Sequence, residues 1–208
     1  MTENSIGLIL RTRPLTDTSL IVHWLTPEFG RLATVAKGAR RPKSPFAGKL
    51  DLFYLADFSF QPSRRSELHQ LREVSLRETH AAIRKELEYL QQASYCCALI
   101  EQTTEMETPL PEIFSLMTGF LTNLPRYAPQ PQTLFAFEIK LLSELGLQPD
   151  FEKDKIGPDL KQILRALLVS DWDALARLKL SSAQVTGLRR FLHGFMIYHL
   201  GKVPMARG

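Results

Sequence analysis

Near residue 80 the hydrophobic period of this chain changes, and no other feature constrains its fold as much. Up to about Ser75 the apolar residues come in short runs of period two; from Ala82 onward they recur at helical spacing. An all-β segment followed by an all-α segment reads as an α+β chain, with residues 1–80 and 81–208 as the expected domains. With 44% hydrophobic and 23% charged residues, both parts can bury a core.

Five strands are expected in the first part. Ile6, Leu8 and Leu10 alternate with Gly7, Ile9 and Arg11 in a strand over Ser5–Arg13. Ser19–Thr26 carries Ile21, Val22 and Trp24, as a half-buried strand should. Pro27-Glu28-Phe29-Gly30 reads as a tight hairpin, and Arg31–Lys37 returns as strand three. Ser44-Pro45 resembles a helix start, Ser44 at the N-cap and Pro45 at the first helical position, with one or two turns to Leu50. Leu52–Gln61 and Leu68–Ser75 complete the set. Three strands, a short helix and two strands match a five-stranded OB-fold β-barrel, with an SH3-like barrel as the rival; a helix between strands three and four favours the former.

In the second part Ile83, Leu87, Leu90, Ala93, Cys97 and Ile100 share a helical face. Further helices are expected over 112–123, 132–145 and 160–169, with Gly146 as a stop. Ser170 to Asp173 resembles a capping box, and Ser181 with Gln184 makes another before a last helix ending at Gly201. That helix is expected to bury Leu188, Phe191 or Leu192, Phe195 and Tyr198.

Charge points to function. Residues 1–80 hold 12 basic and 8 acidic residues, and from Arg31 to Leu50 there are six cations (Arg31, Lys37, Arg40, Arg41, Lys43, Lys49) and no acid. A field of that sign attracts polyanions, above all nucleic-acid backbone. Lys37, Arg40, Arg41, Lys43 and Lys49, with Arg11, Arg13, Arg64 and Arg65, are the candidate DNA-binding residues. Phe46 and Tyr54, beside the basic run, are the candidate base-stacking groups; Trp24, Phe58 and Phe60 are assigned to the core. Residues 84–112 are acidic, with six acids against two bases. Residues 161–208 are basic, with eight cations against Asp171 and Asp173, and Arg189 and Arg190 form a candidate rim for an acidic partner peptide.

Catalysis finds little support. Nucleotide-loop, zinc-protease and nucleophile-elbow motifs are absent, and the five histidines have no shared-ligand spacing. Cys96 and Cys97 are adjacent on a helix, pointing about 100° apart, so they suit neither a disulfide nor a zinc site. No metal, no cofactor and no enzymatic activity are expected. The N-terminus lacks secretory features and no apolar run is long enough to span a bilayer, so a cytoplasmic, nucleoid-associated protein without membrane contact is expected.

The stretches Gly7–Arg13, Asp17–Val22, Leu25–Leu32 and Ala36–Ser44, with Ser94-Tyr95, Phe137–Leu142 and Tyr198–Lys202, resemble the RecO family of bacterial recombination mediators. The Gly30-Arg31 hairpin followed by Lys37-Gly38-Ala39-Arg40-Arg41 is the most specific part. The resemblance implies an OB-fold domain followed by a helical domain. It implies binding of single- and double-stranded DNA, strand annealing, and work with RecR to load recombinase onto coated single strands. It also implies binding of the acidic C-terminal tail of single-stranded DNA-binding protein. Many members carry a four-cysteine zinc module where this chain has Gln148–Lys155 without cysteine, so no zinc is carried over. An OB-type RNA-binding factor, separated by its preference for a 2′-hydroxyl, and a non-catalytic protein–protein adaptor are the alternatives.

Overall fold

A computed structural model of the chain describes residues 1–151 and 156–204. Five strands, β1 (Glu3–Pro14), β2 (Leu20–Thr26), β3 (Gly30–Ala36), β4 (Leu55–Gln61) and β5 (Leu68–Glu78), close into a barrel in the order β1-β2-β3-β5-β4. All neighbours are antiparallel except β3 and β5, where Ala33 faces Leu68 and Val35 faces Gln70. This is the five-stranded OB-type barrel.

Trp24, Phe58 and Phe60 lie in the barrel core, with Trp24 and Phe58 stacked at 4.1 Å between ring centroids. The Trp24 indole N–H donates to Thr34 Oγ1 at 2.9 Å, which removes the cost of burying it. Gly7 makes the stack fit: a Cβ there would lie 2.6 Å from the Phe58 ring. β4 begins three residues later than its apolar pattern suggests, because Phe53, fully buried, takes a left-handed backbone (φ 66°) that interrupts the extended run.

The helices are α1 (Leu87–Thr103), α2 (Pro111–Asn123), α3 (Pro131–Glu144), α4 (Pro158–Val169), α5 (Trp172–Arg177) and α6 (Ser182–Leu200). Ile83 and Leu87 do not share a helix face. A 3₁₀ turn holds Ala81–Lys85, α1 starts only at Leu87, and Leu87 is exposed. α5 is capped by Asp171, whose side chain accepts from the Ala174 N–H at 2.7 Å, so Ser170 is not the cap. The capping box of Ser181 and Gln184 forms as expected, and α6 ends at Gly201.

Two compact units result. One comprises Met1–Ala81 with Ile100–Thr118, the other Ala82–Leu99 with Gly119–Gly208. In the second, α3 is buried nearly all round, through Leu134 to Ile139, as the central helix of a bundle should be. Its Glu138 carboxylate is fully buried and accepts from the Tyr95 hydroxyl at 2.8 Å.

Candidate nucleic-acid interface

Between β3 and β4 the chain forms no helix. Residues 37–49 run as a ribbon of consecutive turns closed by i+3 to i bonds: Arg41 N–H to Gly38 O, Ser44 N–H to Arg41 O, Ala47 N–H to Ser44 O, and Lys49 N–H to Phe46 O, each 3.0–3.1 Å. Gly48 takes a positive φ only three residues after Pro45, so a helix started there is broken before one full turn. Ser44 still caps locally, its Oγ accepting from the Phe46 N–H at 3.2 Å.

The ribbon presents Lys37, Arg40, Arg41 and Lys43 exposed. Arg40 ties it to the β1–β2 turn: its N–H donates to Thr18 O at 3.0 Å and its guanidinium to Thr16 O at 3.4 Å. Arg13, exposed near the end of β1 opposite Ile21, joins the same end of the barrel. Phe46, a candidate stacking group, is 7% exposed and anchors the ribbon in the barrel core, while Tyr54, the other candidate, is half-buried and packs against that core. Lys49 is half-buried too, with Nζ donating to Val74 O at 3.1 Å.

Arg64 and Arg65 are exposed in the β4–β5 loop. Because β5 runs parallel to β3 from the pair Leu68–Ala33, that loop lies beyond the start of β3, whereas the ribbon follows its end. A strand of seven residues is about 20 Å long, so basic groups flank the barrel at two separated ends.

The outward face between those ends is covered by the chain itself. Arg11 lies 3.2 Å from Glu101, and Arg31 donates through Nε to Thr104 Oγ1 at 2.7 Å and through Nη2 to Thr104 O. The Glu107 N–H donates to Arg31 O at 2.8 Å, and the Glu107 carboxylate meets His69 at 3.0 Å. Arg11 therefore already has a carboxylate partner, whereas among the described residues no ion pair forms to Lys37, Arg40, Arg41 or Lys43. His23, beside Glu101, is pushed down to about 4 by burial and by Arg11, Arg13 and Arg31.

Two cations escape a reading of sequence. Arg72 and Arg77 line an open cleft of about 700 Å³ over β1, β4 and β5, together with Lys49, Asp57 and Glu73. A bulge between Ser59 and Phe60 puts Arg72 out of alternation, and Asp57 holds Arg77 at 2.6 Å. The alternation of Glu73, Ser75 and Arg77 was a signal for this face; the bulge gave none.

In the helical unit, α6 buries Leu188 and Leu192 as expected, but Met196 rather than Phe195 and Tyr198; Phe191 and Phe195 are half-buried and Tyr198 is 83% exposed. Beyond Leu192 the buried face follows i, i+4 spacing to Met196, which puts Phe195 about 100° off it. Arg189 and Arg190 are both exposed. Arg189 borders a cleft of about 280 Å³ with Glu88, Gln92, Pro131, Leu134 and Phe135, and Gln92 carries a buried Oε1 without a hydrogen-bond partner among the described residues. Arg207, counted among the basic residues, lies outside the described residues, as does Glu152–Lys155 of the cysteine-free segment.

Cys96 and Cys97 are buried in α1, burial pushes the Cys96 thiol well up, and among the described residues no group of three or more metal-binding side chains comes together. No helix among the described residues is long and apolar enough to cross a membrane.

Two family models match the chain: "Recombination protein O N terminal" over residues 1–80 and "Recombination protein O C terminal" over residues 84–157. A DNA repair protein RecO of Rhodopirellula baltica is 28% identical over 196 residues, covering 84% of this chain and 73% of the relative. Its counterpart in Listeria monocytogenes is 32% identical over 152 residues, covering 73% of this chain and 58% of the relative. The one in Myxococcus xanthus is 32% identical over 146 residues, covering 70% and 59%. The chain thus spans a little under three fifths of the length of these last two.

Proposed function

The chain belongs to the RecO family, and from that membership we propose that it is a DNA-binding recombination mediator in DNA repair. In this reading it binds single- and double-stranded DNA and anneals complementary strands. With RecR it helps load recombinase onto single strands coated by single-stranded DNA-binding protein. The observation that carries the reading is the turn ribbon, whose four exposed cations stand on an OB-type barrel and are held off the core by the Phe46 anchor.

No bond-making group is needed. Arg40, Arg41 and Lys43, with Lys37 and Arg13, neutralise phosphates at one end of the barrel, and Arg64 and Arg65 do so at the other. Two strands held by their backbones keep their bases open and raise each other's local concentration. Lys49 and Arg11, each already bonded within the chain, contribute field more than direct contact. For the acidic, hydrophobic tail of the coat protein, exposed Arg190 on α6 offers a cation, and the cleft beside Arg189 offers Leu134 and Phe135 in its lining, with Glu88 as an acid there.

Titration with single-stranded DNA across a range of salt tests the reading. Affinity should fall with a log–log slope of about −0.7 per phosphate contacted. Replacing Arg40, Arg41 and Lys43 together by alanine should flatten that slope by up to about 2. A triple variant that folds and keeps the full slope would overturn the role of the ribbon.

A further inference from the structure

The outer side of α6 offers a surface that the barrel does not explain. Phe191, Phe195 and His199 follow one another along it as tilted rings, with centroids 5.7 and 4.3 Å apart, and Tyr198 meets His199 edge-on at 4.9 Å. Tyr198 is 83% and Ile197 41% exposed, on a helix whose inward face is already filled by Leu188, Leu192 and Met196. Burial therefore does not account for this ladder.

Its electrostatic setting is one-sided. From Ala174 to Gly208 the sequence has no acidic residue, while Arg177, Lys179, Arg189, Arg190 and Lys202 are basic. Arg190 is exposed one residue before the ladder begins, and Gly194, one turn further on, has no atom within 4 Å of where a Cβ would stand. An exposed ring beside an exposed cation, on a segment that carries no acidic residue of its own, offers a base a stacking face and a phosphate a counter-charge. From Phe191 to Tyr198 the helix rises about 10 Å, which a stacked strand at about 3.4 Å per phosphate crosses in about three nucleotides.

We propose that the outer face of α6, through Phe195, Tyr198 and His199 with Arg190, binds single-stranded nucleic acid by stacking. This rests on the reading of the chain as a DNA-binding protein and gives it a second strand site on the helical unit. The site differs in kind from the ribbon. The ribbon holds phosphates and leaves bases free, whereas α6 holds the bases themselves and so favours strands that are not yet paired. A chain with one site of each kind can hold an unpaired strand on α6 while a partner strand is gathered by the barrel.

The full chain is titrated with a twelve-nucleotide thymidine strand carrying 5-iododeoxyuridine, then irradiated and mapped by mass spectrometry. Crosslinks are expected at Tyr198, Phe195 or His199. Tyr198→Ala, at an exposed position, should weaken binding by at least about fivefold with its salt slope unchanged, since a stack is worth about 1–3 kcal/mol and is not ionic. Tyr198→Phe should keep wild-type affinity, and Arg190→Ala should lower the slope by about 0.7. If the wild-type chain binds the strand but Tyr198→Ala binds it equally and no crosslink maps to α6, the stacking site is refuted while the DNA-binding reading stands. If the wild-type chain does not bind the strand, the broader reading fails first. Loss in Tyr198→Ala of an acidic hydrophobic peptide, or of self-association, with strand binding intact would assign the face to a protein partner and overturn the proposal.

Discussion

His23 shows how a single side chain reports its surroundings. Burial and the cations Arg11, Arg13 and Arg31 hold it neutral down to about pH 4, whereas an unperturbed imidazole titrates near 6.5. Between those values the unfolded chain binds the extra proton, so this contribution to stability is complete above about 6.5 and lost as pH falls towards 4. Urea midpoints at pH 5 and 7.5 should differ in the wild-type chain, and His23→Gln should narrow the difference. Phe46 is the counterpart in packing. Set among Pro45, Ala47 and Gly48 in a basic loop, it has the local sequence of an exposed residue, and only the closed barrel reveals its 7% exposure. Phe46→Ala should cost about 3–5 kcal/mol in denaturant unfolding, well beyond the effect of Tyr54→Ala, which a stacking residue on the surface would not do.

Elements were legible where one local rule decided them. Alternation placed all five strands, and Ser181 with Gln184 placed the start of α6 through a capping box that forms in full. Ser181→Ala should therefore lower stability by about 1 kcal/mol, read as a fall in thermal midpoint, while Ser170→Ala should have little effect because Asp171 carries the cap of α5. Residues 44–50 misled because Ser44-Pro45 satisfies the rule for a helix start, yet the segment closes as separate turns with i+3 to i bonds instead of the i+4 to i bonds of a helix. Lys37, Arg40, Arg41 and Lys43 lie upstream of that expected helix and are exposed in the ribbon. On α6 the sequence left Phe191 and Leu192 as alternatives for the inward face, because both are apolar and hydrophobicity alone cannot choose between positions one residue apart; Leu192 is the buried one.

At the scale of the whole molecule, chain order and spatial grouping part company. A switch of period near residue 80 marks where strands end, but residues 100–118 belong to the compact unit of the barrel. Nothing in the periodicity of α1 announces this, because the bonds responsible are made by backbone groups and by Arg31, whose partners lie more than seventy residues away. The acidic character of 84–112 was the one available hint: Glu101 and Glu107 face Arg11, His23 and His69. If 100–110 is part of the barrel's cooperative unit, the amides of Glu107 and Leu110, bonded to Arg31 O and Pro27 O, should exchange with deuterium at the same free energy as the amides of β2 and β3. Gly30 is the joint that makes the contact possible. Its φ is 61°, and a Cβ there would fall 1.6 Å from Thr108 O, so Gly30→Ala must push the segment away as well as strain the hairpin. In that variant Glu107 and Leu110 should lose protection first, the barrel amides should fall by more than about 1 kcal/mol, and those of α3 should hold. Protection of Glu107 that survives the substitution, or that follows α3 instead of β3, would show that the segment does not unfold with the barrel.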